Sequence, residues 1–153
     1  YRYDNVITLR SFSKAYGLGG ARVGYGFAHS NLIKNLMKVK VPFEPSSIAQ
    51  SAALSALDDK DFISRSINLN EEGSKYLRDE FQKLGIKYIA SSANFLTTIW
   101  ETQEQANLIT NKLLNYGVIV RNLGSFGWPE YIRISIGLEE ENQRFIHVMN
   151  KIL

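Results

Sequence analysis

The most informative stretch of the sequence covers residues 11–26 and reads SFSKAYGLGGARVGYG. A single lysine, Lys14, follows two serines, and a cluster of glycines separates it from Arg22. Glycines let a backbone approach a bound group closely, and a planar guanidinium matches the geometry of a phosphate. The stretch therefore predicts an anion site that contains a reactive amine. A plain turn between two strands, with Lys14 in solvent, is the alternative that these residues leave open.

Length and composition indicate an ordinary globular chain. Its 153 residues are 44% hydrophobic and 22% charged, with a net charge of +3. This charge is small, so the basic residues near Lys34 and Lys38 fit a solvated helix face better than a nucleic-acid surface. The absence of cysteine excludes disulfides, thiolate metal sites and a cysteine nucleophile. The two histidines are isolated and predict no metal site, and without a long apolar run we expect a cytoplasmic location.

Hydrophobic patterning predicts alternating strands and helices in the first part of the chain. Residues 6–9 read as a short buried strand and residues 23–27 as a second strand. Helices are predicted over residues 31–38, from Ser46 or Ser47 to about residue 57, and over residues 61–84. Gly85 is the predicted stop of the last of these helices.

The pattern changes after Gly85 and predicts a compact β-β-α-β-β-α unit. Strands are predicted over residues 86–89, 95–100, 118–121 and 131–136, and the last of these alternates apolar and polar residues. One helix is predicted to end at Gly117, and another begins near Glu139, where three acidic residues favour a helix N-terminus. The chain opens on a strand-like run without a methionine, and we therefore expect it to be the C-terminal part of a longer protein.

Residues 11–25 resemble the lysine segment of class I/II aminotransferases. That family's pattern, S-x-S/T-K-x-x-G-L-x-G-x-R-x-G-Y, is met at its fixed positions, and the likeness extends through residues 48–50 and 131–137. The family consists of fold type I enzymes that depend on pyridoxal 5′-phosphate. The resemblance implies an α/β fold in which residues 1–84 belong to the large cofactor-binding domain and include the Schiff-base lysine segment and the interdomain helix. Residues 85–153 then form a small α+β C-terminal domain.

The resemblance also implies roles for individual residues. Lys14 is the catalytic lysine that holds pyridoxal 5′-phosphate, and Ser11, Ser13 and Arg22 bind the cofactor's phosphate. Arg133 is the arginine that binds the substrate carboxylate, and Arg121 is a second substrate arginine, as in the histidinol-phosphate branch of the family. By the residues alone, a surface arginine is the usual reading for Arg133, and a cation at a strand end is almost as reasonable for Arg121.

The expected activity of the parent protein is transamination between histidinol phosphate and the 2-oxoglutarate/glutamate pair, in histidine biosynthesis. We expect the parent to be a homodimer that acts on small-molecule substrates, without nucleic acid or membrane partners. The alternatives are an aromatic or other amino-acid aminotransferase, a decarboxylase of a phosphorylated amino acid, or a non-catalytic α+β module. In the family an aspartate for the pyridine nitrogen, an aromatic that stacks on the ring and an asparagine come from an N-terminal portion that has no counterpart here. We therefore expect the 153 residues alone to be weak or inactive, and residues 1–60 to expose apolar surface.

Overall fold

The computed structural model describes residues 3–153, which divide into two compact units. The first unit extends to Ser66 and the second covers Ile67–Leu153. The division falls inside helix α3 (Lys60–Lys83), because Leu77 and Phe81 in its later half are fully buried in the core of the second unit. The predicted domain boundary between residues 84 and 85 stays a prediction.

The first unit contains a β-hairpin and two helices besides the beginning of α3. Its elements are β1 (Ile7–Ser11), β2 (Gly24–Ala28), α1 (Ser30–Val39) and α2 (Ser47–Asp58). The two strands pair antiparallel, with Ser11 opposite Gly24. The predicted cap of α2 is confirmed, since the Ser46 hydroxyl accepts a hydrogen bond from the Ala49 N–H at 3.2 Å. A small core of Phe12, Val23, Ala49 and Ala53 holds the hairpin loop against α2.

The first strand is not buried, and that prediction was wrong. Every residue of β1 is exposed, and the side chain of Leu9 is 72% exposed. A two-stranded sheet has two open edges, and neither face of this hairpin is covered along its length by another element of the first unit. Exposed apolar side chains continue at Val39, Phe43 and Ile48, which confirms the expectation of exposed apolar surface in this part of the chain.

The second unit is a four-stranded antiparallel sheet with helices. It contains β3 (Lys87–Ile89), β4 (Phe95–Ile99), α4 (Gln103–Asn115), β5 (Arg121–Asn122), β6 (Tyr131–Ser135) and α5 (Glu139–Ile152), in addition to the later half of α3. The strand order is β3-β4-β6-β5, so β6 is central and β5 lies at an edge. This arrangement confirms the predicted β-β-α-β-β-α unit.

The core of the second unit lies between one face of the sheet and its helices. Leu96, Ile132 and Ile134 point from the sheet into this core, where they meet apolar residues of the helices, namely Leu77, Phe81, Ala106, Ile109, Leu113, Phe145, Ile146, Val148, Met149 and Ile152. The period of two along β6 therefore leaves Arg133 on the other face. None of the helices described is both long and apolar enough to cross a membrane.

The strand predicted over residues 118–121 is shorter than expected, because β5 contains only Arg121 and Asn122. The C-terminal cap of α4 explains the difference. The Gly117 N–H donates to the Leu114 carbonyl and the Val118 N–H donates to the Leu113 carbonyl, both at 2.9 Å. This is the Schellman pattern of a helix end, so the backbone of Val118 belongs to the cap and not to the sheet.

Candidate functional site

The hairpin loop between β1 and β2 is fixed by two buried side chains. Phe12 and Val23 stand at its two ends, and the Phe12 N–H donates to the Val23 carbonyl at 3.3 Å. Inside the loop, the Leu18 N–H donates to the Phe12 carbonyl at 2.9 Å. Phe12 points into the core, whereas Ser11, the last residue of β1, is exposed and Ser13 is partly buried.

Lys14 begins a tight turn at the tip of this loop. The Gly17 N–H donates to the Lys14 carbonyl at 2.8 Å, and Gly17 has a φ of +69° that favours glycine. The Lys14 side chain is exposed, and within residues 3–153 its amine forms no hydrogen bond or ion pair. The turn therefore presents the amine on a defined backbone without committing it to another group.

Ser11 and Ser13 form a local turn of their own. The Ser13 N–H donates to the Ser11 hydroxyl oxygen at 3.0 Å. In this arrangement the Ser11 oxygen is an acceptor, and its own hydrogen stays available to a ligand. The Ser13 hydroxyl forms no hydrogen bond within the described part of the chain. Two hydroxyl donors thus flank the backbone that leads into Lys14.

Arg22 closes the loop in a left-handed backbone conformation. Its φ of 53° and ψ of 49° are uncommon for a residue other than glycine. The Arg22 guanidinium donates through Nη1 to the Gly19 carbonyl at 2.7 Å, across a short 3-10 turn at Gly19–Ala21. Backbone conformations of this kind are enriched at ligand clamps, where the surrounding structure holds them in place. The remaining N–H groups of Arg22 are free to donate to an anion.

The two arginines singled out in the second unit are cross-strand neighbours. Arg121 of β5 and Arg133 of β6 are directly opposite each other in the antiparallel ladder, and Thr97 of β4 lies on the other side of Arg133. The Arg133 guanidinium carbon lies 5.3 Å from the centre of the Phe95 ring, and that of Arg121 lies 5.6 Å from the centre of the Phe126 ring. Two adjacent guanidinium groups on neighbouring strands are suited to an anionic ligand.

The structure divides the predicted site residues between the two units. Ser11, Ser13, Lys14 and Arg22 belong to one hairpin of the first unit, whereas Arg121 and Arg133 belong to two neighbouring strands of the second. Their roles toward a cofactor and a substrate stay predictions.

Sequence reasoning missed Phe95 and Phe126, because contact between a ring and a guanidinium on another strand or turn leaves no periodic signal. It also missed Asn142, a buried residue of α5 whose amide group makes two hydrogen bonds to the backbone of Gly137. A weak signal existed for Phe126, since it lies five residues after Arg121, between the glycines of the segment RNLGSFG.

Comparison with known proteins gives one consistent result. The family described as aminotransferase class I and II matches residues 1–149. A histidinol-phosphate aminotransferase of Ralstonia nicotianae is 44% identical over 153 residues, which are 99% of this chain and 41% of the relative. One of Carboxydothermus hydrogenoformans is 42% identical over 149 residues, which are 97% of this chain and 41% of the relative. The chain thus spans about two fifths of the length of these relatives.

Solved structures show the same fold. A putative aminotransferase of Burkholderia pseudomallei superposes with a TM-score of 0.88 at 30% identity, covering 97% of this chain and 45% of that protein. The histidinol-phosphate aminotransferase of Sinorhizobium meliloti, solved in complex with pyridoxal 5′-phosphate, superposes with a TM-score of 0.88 at 27% identity. The match covers 98% of this chain and 42% of that structure, so the fold described above is part of the fold of these enzymes.

Proposed function

The chain belongs to the class I and II aminotransferase family, and from this premise we propose that it carries the cofactor lysine and the substrate arginines of a histidinol-phosphate aminotransferase. The reaction would transfer an amino group between histidinol phosphate and the 2-oxoglutarate/glutamate pair, in histidine biosynthesis. The names of its relatives support this substrate, since several proteins above 40% identity are histidinol-phosphate aminotransferases.

The donor groups of the hairpin loop fit pyridoxal 5′-phosphate. Arg22 and the hydroxyls of Ser11 and Ser13 would bind its phosphate, because all three supply donors and none is acidic. The Lys14 amine would bind its aldehyde carbon, which requires the neutral form of the amine. When bound, the cofactor supplies a conjugated ring that withdraws electrons from the substrate's Cα. Once the substrate displaces Lys14 from the aldehyde carbon, Lys14 Nζ would move the proton between the substrate's Cα and that carbon, C4′.

Arg121 and Arg133, on neighbouring strands of the second unit, would fit the anionic groups of the substrates. Histidinol phosphate carries a phosphate, whereas glutamate carries carboxylates, so one site must accept either anion. A guanidinium donates two parallel N–H bonds to a phosphate or to a carboxylate. We assign this exchange to Arg121 and Arg133, since they are neighbours on one face of the sheet and neither is paired with a carboxylate within residues 3–153.

The observation that carries the proposal is the loop in which Lys14, two serine hydroxyls and a strained, anchored Arg22 occur together. A solvated turn would not need a non-glycine residue in a left-handed conformation at its end. The second unit alone would also be compatible with a non-catalytic α+β module. The presence of this loop favours the enzyme.

Reductive trapping tests the assignment of Lys14. The chain is incubated with pyridoxal 5′-phosphate, reduced with borohydride and digested, and the pyridoxyl mark is located by mass spectrometry. We expect the mark on Lys14 in preference to the other lysines, and its loss in the Lys14→Ala variant but not in Lys34→Ala, where an exposed helical lysine is removed. A mark spread over surface lysines in proportion to their exposure would contradict the assignment.

The proposed activity is tested in a longer chain, since these residues span 41% of the Ralstonia relative. A chimera in which this chain replaces the matching segment of that relative should form glutamate from 2-oxoglutarate in the presence of histidinol phosphate. The Lys14→Ala chimera should not. Activity with aromatic amino acids but not with histidinol phosphate would support another aminotransferase, and release of carbon dioxide would support a decarboxylase.

We also propose that the parent protein is a cytoplasmic homodimer and that the 153 residues alone transaminate weakly. The first unit exposes many apolar side chains, which supports the proposal that other parts of the parent protein cover this surface. Full transamination by the isolated chain, measured in the same assay as the chimera, would contradict this part of the proposal.

A further inference from the structure

The two neighbouring arginines of the second unit place two positive charges side by side. Arg121 and Arg133 are directly opposite each other, and like charges in that position destabilise a sheet. Within residues 3–153 neither guanidinium has a carboxylate partner or a hydrogen bond to the protein. Their donors are therefore unused by the protein, and any contact that fixes the direction of the two side chains must be of another kind.

Each of the two guanidinium groups lies over an aromatic ring. The Arg133 guanidinium is 5.3 Å from the centre of the Phe95 ring, and the Arg121 guanidinium is 5.6 Å from the centre of the Phe126 ring. Both distances are within the range of a cation–π contact. Such a contact uses the face of the guanidinium, whereas an anion binds along its N–H edge. The rings can therefore fix the direction of both arginines without occupying the donors that a ligand needs.

Phe126 is held for this contact by its own backbone. It ends the 3-10 turn Gly124–Phe126, in which the Phe126 N–H donates to the Leu123 carbonyl at 2.9 Å. The turn begins at Gly124, whose N–H donates to the Asn122 side-chain oxygen at 2.8 Å. Asn122 is the residue after Arg121, so the strand that carries the arginine also anchors the turn that carries the ring.

The exposure of Phe126 argues against a role in the core. Its side chain is 64% exposed, and it is absent from the hydrophobic core of the second unit. An aromatic ring left in solvent contributes little to folding by burial. Its defined neighbour is the Arg121 guanidinium. Phe95 differs, because it lies on β4, diagonally across from Arg133, and is partly buried.

We propose that Phe95 and Phe126 are positioning residues for the anion site of the second unit. Phe126 holds the Arg121 guanidinium, and Phe95 that of Arg133, so that both N–H edges are ready for a phosphate or a carboxylate. This inference rests on the proposed function of the two arginines as the substrate-anion site. It goes beyond that function because it assigns the orientation of the two arginines to two aromatic rings, which contact the guanidinium groups and not the anionic group of the ligand.

Titration of the ¹⁵N-labelled chain with inorganic phosphate tests the proposal by the NMR signals of the arginine Nε–H groups. The Phe126→Leu variant keeps an apolar side chain but removes the ring. We expect phosphate to bind about two- to fivefold more weakly to it, which corresponds to the strength of an exposed cation–π contact. The Phe126→Tyr variant keeps the ring and should bind as the original chain does. Phe43→Leu is the matched control, because Phe43 is also an exposed phenylalanine but contacts no arginine among the described residues.

A second readout does not depend on phosphate. A guanidinium over a ring face experiences the ring current, so the Arg121 Nε–H signal should move when Phe126 becomes leucine and stay when it becomes tyrosine. An unmoved signal would overturn the role of the ring. Phe95→Leu should act in the same way on Arg133, with tryptophan fluorescence used to verify that this partly buried position still allows folding.

The outcomes separate this inference from the proposed function. If phosphate binds the original chain and Phe126→Leu with the same affinity, the inference fails and the anion site stands. If phosphate moves neither arginine signal in the original chain, both fail. If Arg121→Gln weakens binding and Phe126→Leu weakens it by the smaller expected factor, both are supported.

Discussion

Replacing Asn142 by alanine should destabilise the second unit far more than the same change elsewhere on its helix. Asn142 is only 4% exposed, and it holds the backbone of Gly137, the residue that connects β6 to α5. Its Oδ1 accepts from the Gly137 N–H, and its Nδ2 donates to the Gly137 carbonyl, each at 3.0 Å. Alanine leaves both backbone groups without a partner. Since a buried group left unpaired costs about 1–3 kcal/mol, and Gly137 is partly accessible to water, we expect a loss of about 2–4 kcal/mol in the free energy of unfolding.

Urea unfolding followed by tryptophan fluorescence measures this loss. Both tryptophans of the chain, Trp100 and Trp128, lie in the second unit, so the signal reports that unit alone. Asn150→Ala is the matched control on α5, because Asn150 is exposed and its amide bonds only within the helix, to the Ile146 carbonyl at 2.9 Å. We expect the control to change stability by less than about 0.5 kcal/mol. A loss for Asn142→Ala that is no larger than that of the control would refute the reasoning that these two hydrogen bonds fix the turn after β6.

Three further changes should affect the second unit in defined ways. Gly73→Ala should lower its unfolding free energy by about 1–3 kcal/mol, since the added methyl would lie 2.6 Å from Ile136 Cγ2; an unchanged urea midpoint would contradict this. Thr98→Val should lower the unfolding free energy by about 1–2 kcal/mol, because the buried Thr98 hydroxyl accepts from Trp100 Nε1 at 3.0 Å and donates to a backbone carbonyl. The control Thr97→Val breaks no such bond and should cost less. Equal losses in the two variants would contradict the role of the Thr98 hydroxyl. Burial, and then the Glu80 carboxylate, raise the pKa of Tyr76, so the neutral phenol is favoured in the folded state and stability should fall as the pH rises above about 10. Tyr76→Phe should lose less stability between pH 9 and pH 11, and an identical loss would contradict the assignment.

Local features of the fold were predictable because their signals lie within a few residues. Ser46 caps α2 as expected, and Gly85 and Gly117 end helices with positive φ angles. The alternation of β6 predicted which of its residues enter the core, and so placed Arg133 on the opposite face. In each case a short-range rule of backbone geometry or periodicity decides the structure.

Features that depend on distant parts of the chain were not predictable. The strand at residues 6–9 has the composition of a buried strand, yet its burial depends on neighbours that the first unit lacks. The extent of β5 depended on whether Val118 would bond to the sheet or to the end of α4. The pairing of Arg121 with Arg133 and the contacts with Phe95 and Phe126 depend on strand register and on a turn, which residue types do not reveal.

The residues of the candidate cofactor loop were enough to predict its ligand groups, but not its backbone conformation. The spacing from Ser11 to Arg22 indicated a phosphate and an amine site. The left-handed conformation of Arg22 and its bond to the Gly19 carbonyl were not evident, because a non-glycine residue is not expected in that conformation. The chemistry of the loop stays a prediction from the sequence, and the structure added how the loop is held.

The most direct test of the central claim compares two aldehydes on the same chain. Pyridoxal 5′-phosphate and pyridoxal share the aldehyde that reacts with an amine, but only the first carries a phosphate for Ser11, Ser13 and Arg22. After borohydride reduction, we expect Lys14 to be marked at least tenfold more by pyridoxal 5′-phosphate than by pyridoxal, as the loss of about 1.4 kcal/mol or more of phosphate binding requires. Arg22→Gln should reduce this preference. Equal marking of Lys14 by both compounds, unchanged in Arg22→Gln, would contradict the claim that this loop is a phosphate-binding cradle for the cofactor.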